Sequence, residues 1–263
     1  MNSIPGTGPA SAVVTSTVIS AREITKSYAV GDETLEILHG ISLDVVDGEM
    51  VAIMGPPGSG KSTLMYCLAG LEETGSGEVS LLGRSLRDAS AADRAVMRRT
   101  DVGFVFQAYN LMPTMNAYDN VALPYLLRGE KAPDALIRQT LTTVGLADRI
   151  GAMPASMSGG EQQRVALARV LAQQPRIVFA DEPTGALDTR SGEVVLGELQ
   201  RVAHSGGHCV VVVTHDPEVA ARCDRVLFLR DGSLVEERRG ASSEQVAAVL
   251  VDLGRTGRPD AGR

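Results

Sequence analysis

The stretch GPPGSGKS at residues 55–62 carries the strongest chemical signal in the sequence. It fits the pattern G-x-x-x-x-G-K-[ST], and it lies between a β-like run, MVAIM, and a helical run, STLMYCLAG. Glycines let the backbone curl so that successive N–H groups point at phosphate oxygens, and the following helix adds its positive N-terminal end. Lys61 would reach the β- and γ-phosphates, and the Ser62 hydroxyl would bind Mg²⁺. The stretch therefore predicts a nucleotide site, with phosphate contacts made mainly from Gly58 onward, because proline has no N–H to donate.

Two adjacent acids follow a second β-like run and suit metal binding and water activation. The apolar run 177–180 is followed directly by Asp181 and Glu182. In a doubly wound sheet, ligands bind at the carboxyl ends of the strands, so both acids would face the nucleotide. We expect Asp181 to hold the Mg²⁺ shell and Glu182 to orient or deprotonate the attacking water. Without the phosphate-binding stretch at residues 55–62 (the phosphate loop) nearby, a solvated acidic turn would be the better interpretation of this pair.

The elements that must position these residues alternate between strands and helices. Apolar runs at 50–54, 102–106, 177–180, 209–214 and 225–229 predict a parallel sheet covered on both faces. Helical periodicity follows Lys61 and recurs across 132–144, 161–171 and 191–203. Asp231 and Gly232 indicate a late hairpin. The stretch from about 108 to 165 shows helical patterns without a convincing strand, which predicts a helical insertion into an α/β fold.

Composition limits the classes of protein that this chain can belong to. The 263 residues carry a formal net charge of -7, which argues against broad nucleic-acid binding. No apolar run approaches the roughly 18 residues of a membrane-spanning helix, and the N-terminus lacks the features of a secretory signal. The three cysteines, Cys67, Cys209 and Cys223, are too few and too scattered for a disulfide framework or a metal site. These features predict reduced thiols in a cytosolic protein. Residues 1–17 and 254–263 are expected to be disordered, because Ser, Thr, Gly and Pro dominate there.

The motif MSGGEQQR at residues 157–164 resembles the LSGGQ signature of ATP-binding-cassette proteins, with Met for Leu and Glu for Gln. The Ser158 hydroxyl and the N–H groups of Gly159 and Gly160 would open a helix and form a second anion site. The resemblance covers about residues 18–240. It implies an ATPase domain over 18–253, with a P-loop NTPase core of mainly parallel sheet, an antiparallel β subdomain and the helical insertion.

Further motifs follow in the order that the family shows. Tyr28 matches the aromatic residue that stacks on adenine, and Gln107 matches the glutamine that links the core to the helical insertion and contributes to the metal site. Asp188, in GALD, matches the loop that crosses to the partner subunit, and His215 matches the histidine that contacts the γ-phosphate. His39, His204 and His208 have no such match and are interpreted as structural or surface residues.

The resemblance implies the following site. Catalytic residues would be Glu182, His215 and Gln107, and metal ligands Ser62, Gln107 and Asp181. ATP would contact Tyr28, Gly55, Pro56, Pro57, Gly58, Ser59, Gly60, Lys61, Ser62 and Thr63. The partner subunit of an ATP-dependent homodimer would contribute Ser158, Gly159, Gly160, Glu161 and Asp188. The implied cofactors are ATP and Mg²⁺.

The resemblance also implies a membrane partner. A separately encoded permease would dock at residues 109–115, from Tyr109 to Met115, where Leu111 and Met112 are expected to be exposed. The ATPase would then sit at the cytoplasmic face of the membrane. The stretches 106–124, 157–171 and 181–195 are most similar to ATPases of lipoprotein-releasing and macrolide- or peptide-exporting systems. The related cell-division ATPase usually has Asn where this chain has Ala186.

Three other functions are weighed against transport. The same ATPase could regulate a membrane-bound cell-division or cell-wall complex, and the sequence hardly separates this alternative from transport. A nucleic-acid- or ribosome-associated ATPase would carry a coiled-coil or zinc insertion or a second cassette, which this chain lacks. A small-molecule kinase would leave the motif at 157–164 without an explanation. Transport is therefore favoured, while its substrate and direction are not encoded in these motifs.

Overall fold

The computed structural model describes residues 16–185 and 187–256 and shows two β-sheets surrounded by helices. The strands are β1 (Thr17–Val30), β2 (Glu33–Val46), β3 (Met50–Met54), β4 (Ser76–Leu81), β5 (Arg84–Ser85), β6 (Val102–Val105), β7 (Ile177–Asp181), β8 (Cys209–Val213), β9 (Arg225–Arg230) and β10 (Ser233–Arg239). The helices are α1 (Lys61–Leu68), α2 (Ala91–Thr100), α3 (Ala117–Arg128), α4 (Asp134–Thr143), α5 (Gly159–Gln173), α6 (Thr189–Ala203), α7 (Pro217–Ala221) and α8 (Ser243–Thr256).

Six strands form the central sheet in the order β10-β9-β3-β8-β7-β6. The five strands from β9 to β6 run parallel to their neighbours, whereas β10 returns antiparallel to β9 across the turn at Asp231 and Gly232. Every residue of β3 and β8 is buried, as expected for strands covered on both faces. The predicted parallel sheet and the predicted late hairpin are therefore confirmed.

The side chains of β3 alternate between two hydrophobic cores, one on each face of the central sheet. Val51 and Ile53 belong to a core that also contains α1 and the antiparallel sheet. Met50, Ala52 and Met54 belong to the opposite core, which the helices from α3 to α8 complete. This division follows from the two-residue period of a strand. It places α1, which follows the phosphate loop, between the two sheets.

The second sheet has the order β2-β1-β4-β5, and all its strand pairs are antiparallel. Ile24 and Leu38 of this sheet share a core with Leu64 and Leu68 of α1. The expected antiparallel β subdomain is thus present, and it packs against the helix that follows the phosphate loop. The tip of the β1–β2 hairpin extends into solvent, because both strands are exposed at that end.

The helical insertion lies between β6 and β7. Residues 108–165, all of which are described, contain no strand; they hold α3, α4, two short 3-10 turns and the start of α5. α3 and α4 pack on α5 through buried side chains such as Val121, Leu141 and Val165. The start of α5 therefore belongs to the helical insertion, and the rest of the helix packs in the core of the protein.

The described residues extend slightly beyond the expected boundaries of the ATPase domain. β1 begins at Thr17, and α8 continues through residues 254–256, which the sequence placed in a disordered tail. Buried Val246 and Leu253 hold this helix on the core, which explains its extension. Residues 1–15, 257–263 and Ala186 lie outside the described residues. In the described part of the chain, no helix combines the length and the apolar character needed to cross a membrane.

Candidate nucleotide site

The phosphate loop connects β3 to α1 and depends on glycine at specific positions. Gly55, Gly58 and Gly60 have φ angles of 153°, 79° and 96°, which side-chain-bearing residues rarely adopt. A Cβ atom on Gly55 would lie 2.0 Å from the carbonyl oxygen of Leu229, so a larger residue cannot occupy this position. The loop therefore forms a backbone cradle at the N-terminal end of α1. Pro57 and Gly58 are exposed on it, whereas Ser59 is buried beneath it and Pro56 lies between these extremes.

Lys61 is the first residue of α1, and its side chain folds back over the loop. Its Nζ donates hydrogen bonds of 2.9 Å to the carbonyl oxygens of Gly55 and Pro56. Burial lowers the pKa of Lys61, while the negative charges of Glu182 and Asp181 act to raise it. The lysine is thus within electrostatic reach of both predicted acids. Ser62 and Thr63 follow in the first turn of α1 and are partly exposed.

Asp181 ends β7 at the carboxyl edge of the central sheet, beside Val213 of β8. Its Oδ2 accepts a hydrogen bond of 3.4 Å from the hydroxyl of Tyr66. Burial raises the pKa of Asp181, and the charge of Glu182 raises it further. A carboxylate that is costly to ionise gains from a nearby cation, and oxygen ligands of this kind suit Mg²⁺.

Glu182 is held by three contacts in an uncommon backbone conformation. Its φ angle is +46°, in the left-handed region, and its N–H donates to the carbonyl of Val213 at 2.9 Å. Its Oε1 lies 2.7 Å from Nδ1 of His215, and its Oε2 accepts a 3.3 Å hydrogen bond from the Thr214 hydroxyl. The structure therefore brings together two predicted catalytic residues, Glu182 and His215, that are 33 positions apart.

Tyr28 lies near the end of β1, and charged groups contact it. Its hydroxyl donates to a carboxylate oxygen of Glu72, and Nζ of Lys26 lies 5.0 Å from the ring centroid. Burial and the bond to Glu72 raise the pKa of Tyr28 to about 12. The hydroxyl also lies near Thr63 of α1. The aromatic residue predicted from the sequence is thus next to the helix that carries the phosphate loop.

The start of α5 carries the second predicted anion site. Ser158 caps this helix: its Oγ accepts from the N–H of Glu161 at 3.2 Å, and Oε2 of Glu161 accepts from the N–H of Ser158 at 2.8 Å. The backbone bond to Ser158 is the main cause of the lowered pKa of Glu161, and Arg149 adds to it. A Cβ atom on Gly159 would meet the hydroxyl of Tyr109 at 2.8 Å. Glycine at 159 therefore permits this close contact with residue 109.

The remaining predicted residues occupy turns. Gln107 is exposed in the turn after β6, and Asp188 is the exposed N-cap of α6, where its Oδ1 accepts from the N–H of Ser191 at 3.0 Å. Among the described residues, no hydrogen bond joins Gln107 or Asp188 to the phosphate loop. Gly160 lies beside Ser191 and Arg164 instead.

Side chains that contact the site and were not predicted from the sequence include Lys26, Tyr66, Glu72 and Thr214. Thr214 immediately precedes His215, so its proximity to the site follows from a motif that was recognised. Tyr66 lies on α1 one turn beyond Ser62, which is a detectable spacing. Lys26 lies two residues before Tyr28 on β1, whereas Glu72 belongs to no motif, and only the tertiary structure reveals its contact with Tyr28.

Comparison with known proteins agrees with this set of motifs. A family model described as ABC transporter matches residues 38–185 of the chain, which include the phosphate loop, the motif at 157–164 and both acids. The chain belongs to the ABC transporter family. It is 46% identical over 222 residues to an uncharacterized ABC transporter ATP-binding protein of Escherichia coli K12, YbbA, covering 84% of this chain and 97% of YbbA.

Two further relatives of this ABC protein are informative. This chain is 46% identical over 224 residues to the macrolide export ATP-binding/permease protein MacB 1/2 of Paracoccus denitrificans. The match covers 84% of this chain but only 33% of MacB. The dimeric, post-hydrolysis structure of the ATP-binding cassette MJ0796 bound to ADP and Pi matches with a TM-score of 0.80 and 36% identity. That match covers 85% of this chain and 99% of MJ0796.

The ABC protein is therefore an ATP-binding, ATP-hydrolysing subunit of a transporter. Its site fits a nucleoside triphosphate, because the positive φ angles of Gly55, Gly58 and Gly60 shape the loop into a backbone cradle, with Lys61 beside it. The same site fits Mg²⁺, because Asp181 offers carboxylate oxygens next to α1 and its pKa is raised. The predicted fold and the predicted ATPase activity are confirmed.

Proposed function

We propose that this ABC ATPase dimerises on ATP and drives a separately encoded permease, most consistently with export. Within each subunit, the loop 55–63 and Lys61 bind the phosphates, and the ring of Tyr28 stacks on the base. Ser62, Asp181 and Gln107 hold Mg²⁺. When bound, Mg²⁺ neutralises negative charge that develops on the transferring phosphate.

The contact that carries the chemical part of this proposal is the 2.7 Å bond between Glu182 and His215. Glu182 is 14% exposed and is held at two oxygens, so its carboxylate has a defined direction. We propose that it accepts a proton from the attacking water. Nδ1 of His215 forms the hydrogen bond with Glu182, so Nε2 is the ring nitrogen that remains to contact the γ-phosphate. In this arrangement one histidine orients the base and contacts the substrate.

The dimer is supported by the separation of the two anion sites in the chain. The phosphate loop opens α1, whereas Ser158, Gly159, Gly160 and Glu161 open α5, a helix of the insertion. We propose that these α5 residues and Asp188 act on the nucleotide of the opposite subunit in a C₂ dimer. ATP would then bridge Lys61 of one subunit and Ser158 of the partner subunit, and hydrolysis would release the bridge. The dimeric MJ0796 structure supports this arrangement.

The permease is proposed to dock where the insertion meets the core. Among residues 109–115, Met112 is 43% exposed, whereas Leu111 packs partly on the core and offers less surface than expected. The adjoining groove has a volume of about 260 Å³. Its lining includes the apolar side chains of Phe104, Phe106, Leu123 and Leu127 and the charged side chains of Arg98, Arg99 and Arg169. The permease segment fused to the ATPase in MacB supports a partner at the membrane. We place this subunit at the cytoplasmic face of that membrane.

The dimer can be tested with a variant that binds ATP without hydrolysing it. Glu182→Gln should retain ATP and elute as a dimer from a size-exclusion column run with saturating ATP. Adding Ser158→Arg, which places bulk at the start of α5, should return the protein to monomer. Ser205→Arg, at an exposed position after α6, is the matched control and should leave the dimer intact. A Glu182→Gln protein that stays monomeric, both alone and with its permease in detergent, would contradict the composite site.

A further inference from the structure

The ring of Tyr28 is held by two charged residues, Lys26 and Glu72, to which the sequence assigned no role. Its hydroxyl donates to Glu72, which lies in the turn after α1. The backbone N–H groups of Leu71 and Glu72 both donate to the carbonyl of Tyr66, at 2.9 and 3.2 Å, so this turn is fixed to the helix. The acceptor of the Tyr28 hydroxyl is thus anchored to the same helix that begins at the phosphate loop.

Lys26 completes this contact from the strand side. Its Nζ lies 3.3 Å from Oε2 of Glu72 and donates a 2.8 Å hydrogen bond to the carbonyl of Glu73. The same ammonium group lies 5.0 Å from the ring centroid of Tyr28, within the range of a cation–π contact. Only 16% of the Lys26 side chain and 31% of the Glu72 side chain are exposed. The lysine therefore neutralises the glutamate that accepts the tyrosine hydroxyl.

Tyr28 needs this support because of its place in the fold. It is 36% exposed, and the hairpin beyond it is more so, with Val30 at 60% and Leu35 at 54%. An aromatic ring at such a position would otherwise sample several side-chain rotamers. Ordering it when a ligand binds costs free energy, and a ring that is ordered beforehand avoids this cost.

We propose that Glu72 and Lys26 are positioning residues that hold the ring of Tyr28 ready for the base of ATP. The inference rests on the proposed stacking role of Tyr28. Among the described residues, no hydrogen bond or ion pair joins Lys26 or Glu72 to the loop 55–63, so their contribution belongs to the base-dependent part of nucleotide affinity. The Tyr28 hydroxyl, which stacking alone would not require, is the group through which Glu72 acts.

The test compares ATP with inorganic tripolyphosphate, which has no base, on the full chain with Mg²⁺. Glu72→Met removes the acceptor at similar side-chain length, and Tyr28→Phe removes the donor. Each should weaken ATP binding and raise KM about three- to tenfold while kcat stays unchanged, the range expected for ordering one side chain. Tripolyphosphate affinity should not change. Glu72→Gln, which keeps an acceptor oxygen, should recover part of the loss.

Two further variants show whether the effect comes from this one contact. The double variant Tyr28→Phe/Glu72→Met should bind ATP no more weakly than either single variant, because both remove the same bond. Glu73→Gln is the matched control: its side chain is 82% exposed and pairs with Arg94, and its ATP affinity should equal that of the parent.

Each contrary outcome has one meaning. If Tyr28→Ala weakens ATP but Tyr28→Phe and Glu72→Met do not, the ring stacks without the help of Glu72 and our inference is wrong. An equal loss for tripolyphosphate would overturn it too, since Glu72 would then act through the fold of α1. If Tyr28→Ala leaves ATP affinity unchanged, the stacking role of Tyr28 fails and the inference fails with it.

Discussion

The bond between His215 and Glu182 can be tested by removing the histidine. In His215→Ala, the carboxylate of Glu182 loses its 2.7 Å partner and keeps only the longer 3.3 Å bond from Thr214. We expect the carboxylate to lose the orientation in which it can accept a proton from the attacking water. The chemical step of ATP hydrolysis should therefore slow.

The size of this effect follows from the burial of the two partners. A hydrogen bond to a charged group is worth about 1.5–3 kcal/mol when buried, and an exposed ion pair about 0.2–1 kcal/mol. The Glu182 side chain is 14% exposed and that of His215 is 75% exposed, so the bond belongs between these classes, at about 1–1.5 kcal/mol. At 1.36 kcal/mol for each tenfold change in rate, kcat should fall roughly 5- to 12-fold.

The assay is single-turnover hydrolysis of radiolabelled ATP at saturating concentration, for four proteins that form a double-mutant cycle. Glu182→Gln alone should lose about 10²- to 10⁴-fold, the usual range for removing a general base. In that background His215→Ala should cost less than about twofold, because no base remains to be oriented. His204→Ala, which removes an exposed histidine paired with Asp224, is the control and should leave turnover unchanged.

The opposite result is easy to recognise. If His215→Ala slows hydrolysis by the same factor with Glu182 and with Gln at position 182, the histidine acts independently of Glu182. The bond seen in the structure would then have no part in the chemical step. Contact between Nε2 and the phosphate is measured separately, as a loss of ATP affinity in both backgrounds.

Three other variants test the rest of the site and its support. Lys61→Ala should weaken ATP binding by at least about 100-fold, as expected for removing a desolvated cation from phosphates, with an unchanged circular dichroism spectrum; unaltered affinity in calorimetry would contradict the loop assignment. Asp181→Asn should raise the free energy of unfolding of the nucleotide-free protein at pH 7, because the raised pKa means that the charged carboxylate opposes folding. That gain should shrink as the pH falls, because the folded aspartate is protonated at a higher pH than the unfolded one, and it should vanish below the ordinary aspartate pKa of about 4; a gain that grew on acidification in urea titrations would contradict this sign. Glu49→Ala should cost about 3–5 kcal/mol in urea unfolding, because it leaves Arg225 buried without its 2.8 Å partner, whereas Glu78→Ala, at an exposed position of β4, should cost little.

The strands that the sequence predicted best are those buried on both faces. β3 and β8 are continuous apolar runs, and their observed bounds differ from the expected ones by at most one residue. β1 and β2 were not located from the sequence, because exposed and buried residues do not alternate regularly along them. Register shifts, for example between Ala21 and Ile24, break the two-residue period on which such predictions rely.

The same contrast holds in the site. Lys61 and Ser158 could be assigned from short motifs, because a phosphate loop and a helix cap are built from neighbouring residues whose backbone conformations are local. Glu72 could not be assigned in this way, since it lies in a turn after α1 and its partner Tyr28 lies 44 positions away on β1. No spacing along the chain signals that contact.

The sequence by itself thus determined the chemistry of this protein: a phosphate loop, two acids at a strand end, and a second anion site at 157–164. Only the tertiary structure decided which side chains orient that chemistry. Packing of the antiparallel sheet on α1 brings Glu72 to Tyr28 and to Lys26, which lies two residues before Tyr28 on β1, and the parallel pairing of β7 with β8 brings His215 to Glu182. Local backbone geometry is written in consecutive residues, whereas contacts between distant residues depend on how the whole core packs.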